Sequence, residues 1–152
     1  MKPLIVLLIT FLIALFSLKI TGGQYDVALA GRIAMAVMLV FTSIGHFAFT
    51  KGMEMMMPEF IPFKKAFVYF TGVLEIVFAI GLLLSNYHVI TGWVMIAFFI
   101  LLLPMNVYAA VRHVNHEKAT YDGNGPTYLW FRVPLQILFI LWTYFSAINY
   151  PF

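Results

Sequence analysis

The chain has 152 residues and a formal net charge of +3, with nine Lys and Arg against six Asp and Glu. Hydrophobic residues make up 63% and charged residues only 10%, against about 25% charged in a typical globular domain, so the polar surface of a water-soluble fold is missing. Cysteine is absent, which excludes disulfide staples, thiolate zinc or iron–sulfur sites and any dithiol relay carried by this chain.

Five apolar runs follow one another, at residues 3–20, 27–49, 66–84, 89–111 and 128–148. Each is close to the ~20 residues that an α-helix needs to cross a bilayer. The gaps between them are too short for a soluble domain. The expected fold is therefore all-α and integral to the membrane, a single transmembrane domain over 1–152.

The first run has signal-peptide features: Lys2 precedes an apolar stretch, and Ala28-Leu29-Ala30 resembles a small-residue cleavage site. The run is longer than a signal h-region, and cleavage would fall at the start of the next helix. A retained helix is the expectation.

Between the second and third runs lies a segment rich in Met and Phe, interrupted by Pro58 and Pro62. It is too apolar for a solvated loop and is expected to lie along the membrane interface. Met55, Met56 and Met57 invite a Cu(I) reading, but without Cys or a repeated Met spacing they read as packing. The gap before the last run holds His113 and His116 at i,i+3, followed by Glu117. Further ligands are not evident, so they read as solvated residues and no metal is expected.

Lys2, Lys51, Lys64, Lys65, Arg112 and Lys118 fall on one side of the spans and only Lys19 on the other. The positive-inside rule then sets the N-terminus in the cytoplasm and Phe152 outside. Basic residues spaced between apolar runs, with no basic face, argue against a nucleic-acid partner. The bilayer itself is the expected surrounding.

Ionisable groups inside a span are costly and mark functional candidates. Glu75 stands nine residues into its run, about 13 Å deep at 1.5 Å per residue. In the last run Tyr128, Arg132 and Gln136 recur every four residues and share a face, from which Arg132 could reach Glu75. In the second, Arg32, Ala36, Leu39, Ser43 and His46 form another stripe. Asn106 follows the kink-prone Pro104 in the fourth. Glu75, Arg132, Gln136, His46, Asn106 and Arg32 are thus the candidate ligand-binding set. Three readings fit it: helix-packing contacts in a scaffold or chaperone-like protein, a ligand or quinone pocket, and a proton or solute path.

From Gly31 onward the sequence resembles the DoxX-like membrane protein family. The resemblance rests on Arg32 with Gly45-His46-Phe47, Met57-Pro58-Glu59-Phe60-Ile61-Pro62, Thr71-Gly72-Val73-Leu74-Glu75, Leu103-Pro104-Met105-Asn106 and Trp130-Phe131-Arg132-Val133-Pro134-Leu135-Gln136. It implies a four-helix transmembrane bundle, here a core bundle at 27–148 with an extra N-terminal helix at 3–20, in a bacterial-type inner membrane. It also implies a redox- or assembly-associated subunit with a membrane or redox protein partner and quinone as a possible cofactor. Five helices with so few polar groups would form a transport path only as a homo-oligomer. It carries Glu75 over as a motif residue, not as a catalytic acid. With no Cys, haem-type His pair or flavin motif, the chain is not expected to catalyse electron transfer alone.

Overall fold

A bilayer core offers no water to unpaired backbone groups, so an apolar chain must satisfy them within itself, and helices do so segment by segment. The computed structural model describes residues 2–115, 117–123 and 125–149, with Tyr128 described by its backbone alone. Five helices are long and apolar enough to cross a membrane: α1 (Lys2–Gly22), α2 (Val27–Ala48), α4 (Lys64–Leu83), α5 (His88–Val111) and α6 (Leu129–Thr143), the last continuing to Ile148. A short helix, α3 (Thr50–Met55), lies in the loop between α2 and α4. Span boundaries agree with the sequence reading within two residues, except that the last span leaves α-helical geometry after Thr143.

That change is a π-helical turn at Tyr144–Ile148. Hydroxyls sit on the carbonyls of the turns leading into it: Thr143 Oγ1 donates to Phe139 O at 2.8 Å and Ser146 Oγ to Trp142 O at 2.6 Å. Such back-bonding competes with the i→i−4 ladder and accompanies widened turns. At the start of α2, Asp26 Oδ1 accepts from Leu29 N at 2.9 Å and satisfies one of the helix's orphan donors.

α2 is the central element. It packs against α1 on one side and α4 on the other, and its N-terminal half meets the π turn that ends α6. α4 packs on α5 and α5 on α6, which closes a four-helix ring with α1 outside it. The core is built from Ala34, Met35, Met38 and Leu39 of α2, Phe78 and Leu82 of α4, Met95, Phe98 and Phe99 of α5, and Phe139 of α6. α1 buries only Leu7 and Ala14, one face at i,i+7, and sets the Phe11 ring edge-on to Trp142 at 5.1 Å. Ile5, Leu8, Ile9, Leu12, Ile13 and Phe16 of α1 are exposed, the pattern of a helix whose outer face meets lipid.

After α3 the chain buries Met57 and turns at Pro58 and Pro62, leaving Phe60 and Phe63 exposed. Phe63 has φ 53°, a left-handed backbone that breaks the chain direction immediately before α4. Apolar rings on an exposed turn suit a segment lying along an interface.

Candidate functional site

Two polar features occupy the half of the bundle that carries Lys2, α3 and the 112–125 loop, the first reaching to mid-span at Glu75. The first is a seam between α2 and α4. These helices approach closely because Gly72 faces α2: a Cβ built there would stand 2.9 Å from His46 Cβ. Across the gap, Glu75 is 6% exposed, and both its carboxylate oxygens are met from α2. Thr42 Oγ1 donates to Oε2 at 2.9 Å, and His46 Nε2 lies 3.4 Å from Oε1. The other ring nitrogen, His46 Nδ1, is 3.0 Å from Val68 O and 3.1 Å from Thr71 Oγ1, both on α4. Thr71 is itself anchored to Phe67 O and Val68 O.

The second feature is a cleft of about 960 Å³ between α2 and the pair α5 and α6, reaching the 112–125 loop. Phe41 and Ile44 of α2 face Phe131 and Leu135 of α6 along its apolar walls. Phe41 and Ile44 are exposed residues, so the cleft opens on the flank of the bundle. Its polar lining in the spans comprises Thr42, Asn106, Arg132 and Gln136. Arg132 Nη1 donates to Asn106 Oδ1 at 3.3 Å, linking α6 to α5. Gln136 is buried, and its Nε2 donates to Phe99 O at 2.8 Å. That bond falls beside the turn where Pro104 cannot supply an N–H to the carbonyl four residues earlier, so side-chain donors there steady a weakened stretch of α5. At the mouth, Lys2 Nζ pairs with Glu117 Oε1 at 3.0 Å.

The structure thus divides the six candidates. Glu75 and His46 meet in the seam. Asn106, Arg132 and Gln136 meet in the cleft. Arg132 bonds Asn106, and Glu75 faces His46 instead. Arg32 joins neither group, since it stands 14 residues before His46 on α2, about 21 Å along the axis. Its Nε is buried with no hydrogen-bond partner among the described residues. The α2 stripe is otherwise as expected, with Ala36, Leu39 and Ser43 buried.

Sequence reading passed over Thr42 and Thr71. The signal was available: each precedes an ionisable residue by four, Thr42 before His46 and Thr71 before Glu75, so each pair shares a helix face. Thr42 also lines the cleft, and among the described residues it alone touches both features. No cluster of three or more His, Cys, Asp or Glu capable of holding a metal occurs among the described residues. His116 lies outside them.

No curated protein and no solved structure matches the chain. A family model described as a domain of unknown function (DUF8561) matches residues 35–147. That stretch begins inside α2 and ends in the π turn, so it leaves out α1 and Arg32. It takes in the whole Glu75 seam and every intramembrane polar residue of the cleft. The match spans well over half of the sequence, and the chain belongs to this family, the domain of unknown function DUF8561.

Proposed function

We propose that this protein is a small multi-pass subunit of a bacterial-type inner membrane that holds an amphipathic ligand, quinone-like or lipid, in the cleft between α2 and α6. The observation that carries this reading is the cleft's combination of apolar walls with Thr42, Asn106, Arg132 and Gln136 at its polar side. A ligand with a flat apolar ring fits between Phe41 and Phe131, while its oxygens need donors such as the guanidinium and amides. The flank opening gives such a ligand a lateral route from the bilayer. The DoxX-like sequence blocks support a redox- or assembly-associated setting, with catalysis resting on a partner. The basic loops support a cytoplasmic N-terminus.

The test is the set of small molecules that co-purify with the full-length protein, identified by mass spectrometry. The Arg132→Met, Gln136→Leu double variant is expected to insert and remain monodisperse yet lose the bound ligand. Undiminished retention in a well-folded double variant refutes the cleft as the site.

A second reading has its own observation. The Glu75 seam joins α2 to α4 with four side chains, and Glu75 itself does not line the cleft. Interhelical polar contacts of this kind hold a bundle in register, which is what a non-enzymatic scaffold needs. If the double variant above keeps the cellular phenotype of the wild type while variants of the seam lose it, the scaffold reading replaces the ligand reading.

A further inference from the structure

We infer that His46 and Glu75 form a buried proton-holding pair, and that Thr42 connects it to the cleft as a one-hydroxyl relay. Val68 O lies 3.0 Å from His46 Nδ1. A backbone carbonyl only accepts, so Nδ1 carries a hydrogen. Thr71 Oγ1 supports the same assignment, because its own hydrogen has two carbonyl acceptors, Phe67 O and Val68 O, leaving its oxygen free to accept from the ring.

With Nδ1 protonated, a neutral imidazole turns a bare Nε2 lone pair toward Glu75 Oε1, 3.4 Å away. A bare nitrogen facing a bare carboxylate oxygen is two acceptors in opposition. One proton must lie between them, held either as imidazolium with carboxylate or as imidazole with carboxylic acid. In both forms the pair has zero net charge, which is how an acid 6% exposed near the middle of a membrane span avoids the cost of a lone ion. Among the described residues no third charged side chain lies within ion-pair distance of either group, from α2, from α4 or from the other helices.

The link outward is Thr42. Its hydroxyl has one hydrogen and two acceptors in reach, Glu75 Oε2 at 2.9 Å and Leu39 O at 3.0 Å. A rotation of the hydroxyl switches between them. Thr42 also lines the cleft, whereas Glu75 does not. A proton arriving at the Thr42 oxygen from the cleft lets the hydroxyl pass its own hydrogen to Oε2. Thr42 ends with one hydrogen, as it began, and the pair holds a second proton and one positive charge only in passing. The reverse sequence returns one of the two protons to the cleft, so the pair is again neutral with one proton and the net event is exchange. The occupant suited to this relay carries an ionisable O–H at its polar head, the chemistry of a phenol or hydroquinone. Only this identification of the occupant rests on the ligand reading above; the proton between His46 and Glu75 and its route do not.

The experiment uses the full chain in lipid nanodiscs with ¹⁵N-labelled histidine, His46 being assigned by its loss in His46→Gln. The expected wild-type signature is a protonated Nδ1 and an Nε2 whose shift lies between the bare and fully protonated limits. A His46 with bare Nδ1 overturns the proposal whatever binds in the cleft. Thr42→Val keeps the shape of the residue and removes the hydroxyl. It is expected to leave the Nδ1 signal in place while slowing exchange of the Nε2 hydrogen with deuterium oxide by about a hundredfold, the scale of a positioned proton-transfer group. Unchanged exchange in a folded Thr42→Val protein refutes the relay, since a purely structural threonine would alter stability alone. Adding a short-chain benzoquinol then tests the occupant: accelerated Nε2 exchange in wild type, absent in Thr42→Val, is the expected result. Binding of the benzoquinol with no effect on exchange refutes the coupling. Failure of the benzoquinol to bind removes the hydroquinone assignment and leaves the wild-type nitrogen signature to decide the pair.

Discussion

Gly72→Ala is the most informative single perturbation of the α2–α4 seam. The new Cβ would lie 2.9 Å from His46 Cβ, 3.3 Å from His46 Cγ and 3.3 Å from Phe47 Cε2. The nearest of these is anchored directly to the α2 backbone and cannot rotate away, so the two helices must separate by several tenths of an ångström. Overpacking of this kind costs about 1–3 kcal/mol, and a rigid neighbour puts the cost at the upper end. Alanine regains about 1 kcal/mol of helix propensity. The net loss expected is thus about 1–2 kcal/mol. Gly45→Ala, at the residue before His46 on α2, is the matched control. Its Cβ would meet the flexible end of Met53 at 3.6 Å and Phe49 Cδ2 at 3.9 Å, both ordinary contacts. That variant should be neutral or up to about 1 kcal/mol more stable. Reversible unfolding in mixed micelles, followed by tryptophan fluorescence, reads both on one scale. If Gly72→Ala proves as stable as Gly45→Ala, the close approach of α2 and α4 is wrong, and with it the geometry that presses His46 against Glu75.

Two further outcomes follow from the same geometry. Glu75→Gln keeps an acceptor for Thr42 but removes the carboxylate facing His46, and should lower stability by about 1–2 kcal/mol in the same unfolding assay, the upper part of the range for interhelical polar contacts; no loss, or a gain, would mean that the pair contributes nothing to the seam. On the proposed topology, with the basic loops and the first end in the cytoplasm and five spans between the two ends, a reporter active only in the cytoplasm and fused after Phe152 should give no signal; a strong signal there would refute that topology.

The spans were legible because nothing in them depends on partners. Length and apolarity alone mark a helix that can live in lipid, and each of the five emerged within a residue or two of its sequence bounds, apart from the π turn. The π turn depends on hydroxyls back-bonding to carbonyls and on the contact with Gly31, neither of which has a periodicity to read. Glu75 was legible as a costly residue that needed a partner. Which partner was not, because helix periodicity fixes a residue's face only relative to its own helix. Arg132 was the nearest long cation in principle, but α4 and α6 sit on opposite sides of the ring, so the α2 residues opposite Gly72 reach Glu75 first. The threonines were missed because a hydroxyl in a span raises no alarm: it can satisfy itself on its own helix, as Thr71 does on Phe67 O.

The cleft itself follows from where α2 keeps its small residues. Near its start, Gly31 lets α6 come so close that an added Cβ would stand 2.8 Å from Ser146 Cβ, and Trp142 Nε1 closes the contact by donating to Gly31 O at 3.0 Å. Toward its other end α2 presents Phe41 and Ile44 to Phe131 and Leu135, and side chains of that size hold the helices apart. A pair pinned at one end and propped at the other encloses a wedge. On its opposite side α2 has the reverse arrangement: Gly72 of α4 seats His46 tightly at the level where the wedge is open. α2 is therefore held to α4 just where it is released from α6, and Thr42 lies between the two contacts. A change that loosens the seam must alter the wall of the cleft, since one helix carries both. Ligand occupancy and seam stability should for this reason covary, even for substitutions such as Gly72→Ala that touch no cleft residue. Independent responses across such variants would show that α2 is not the rigid link between them.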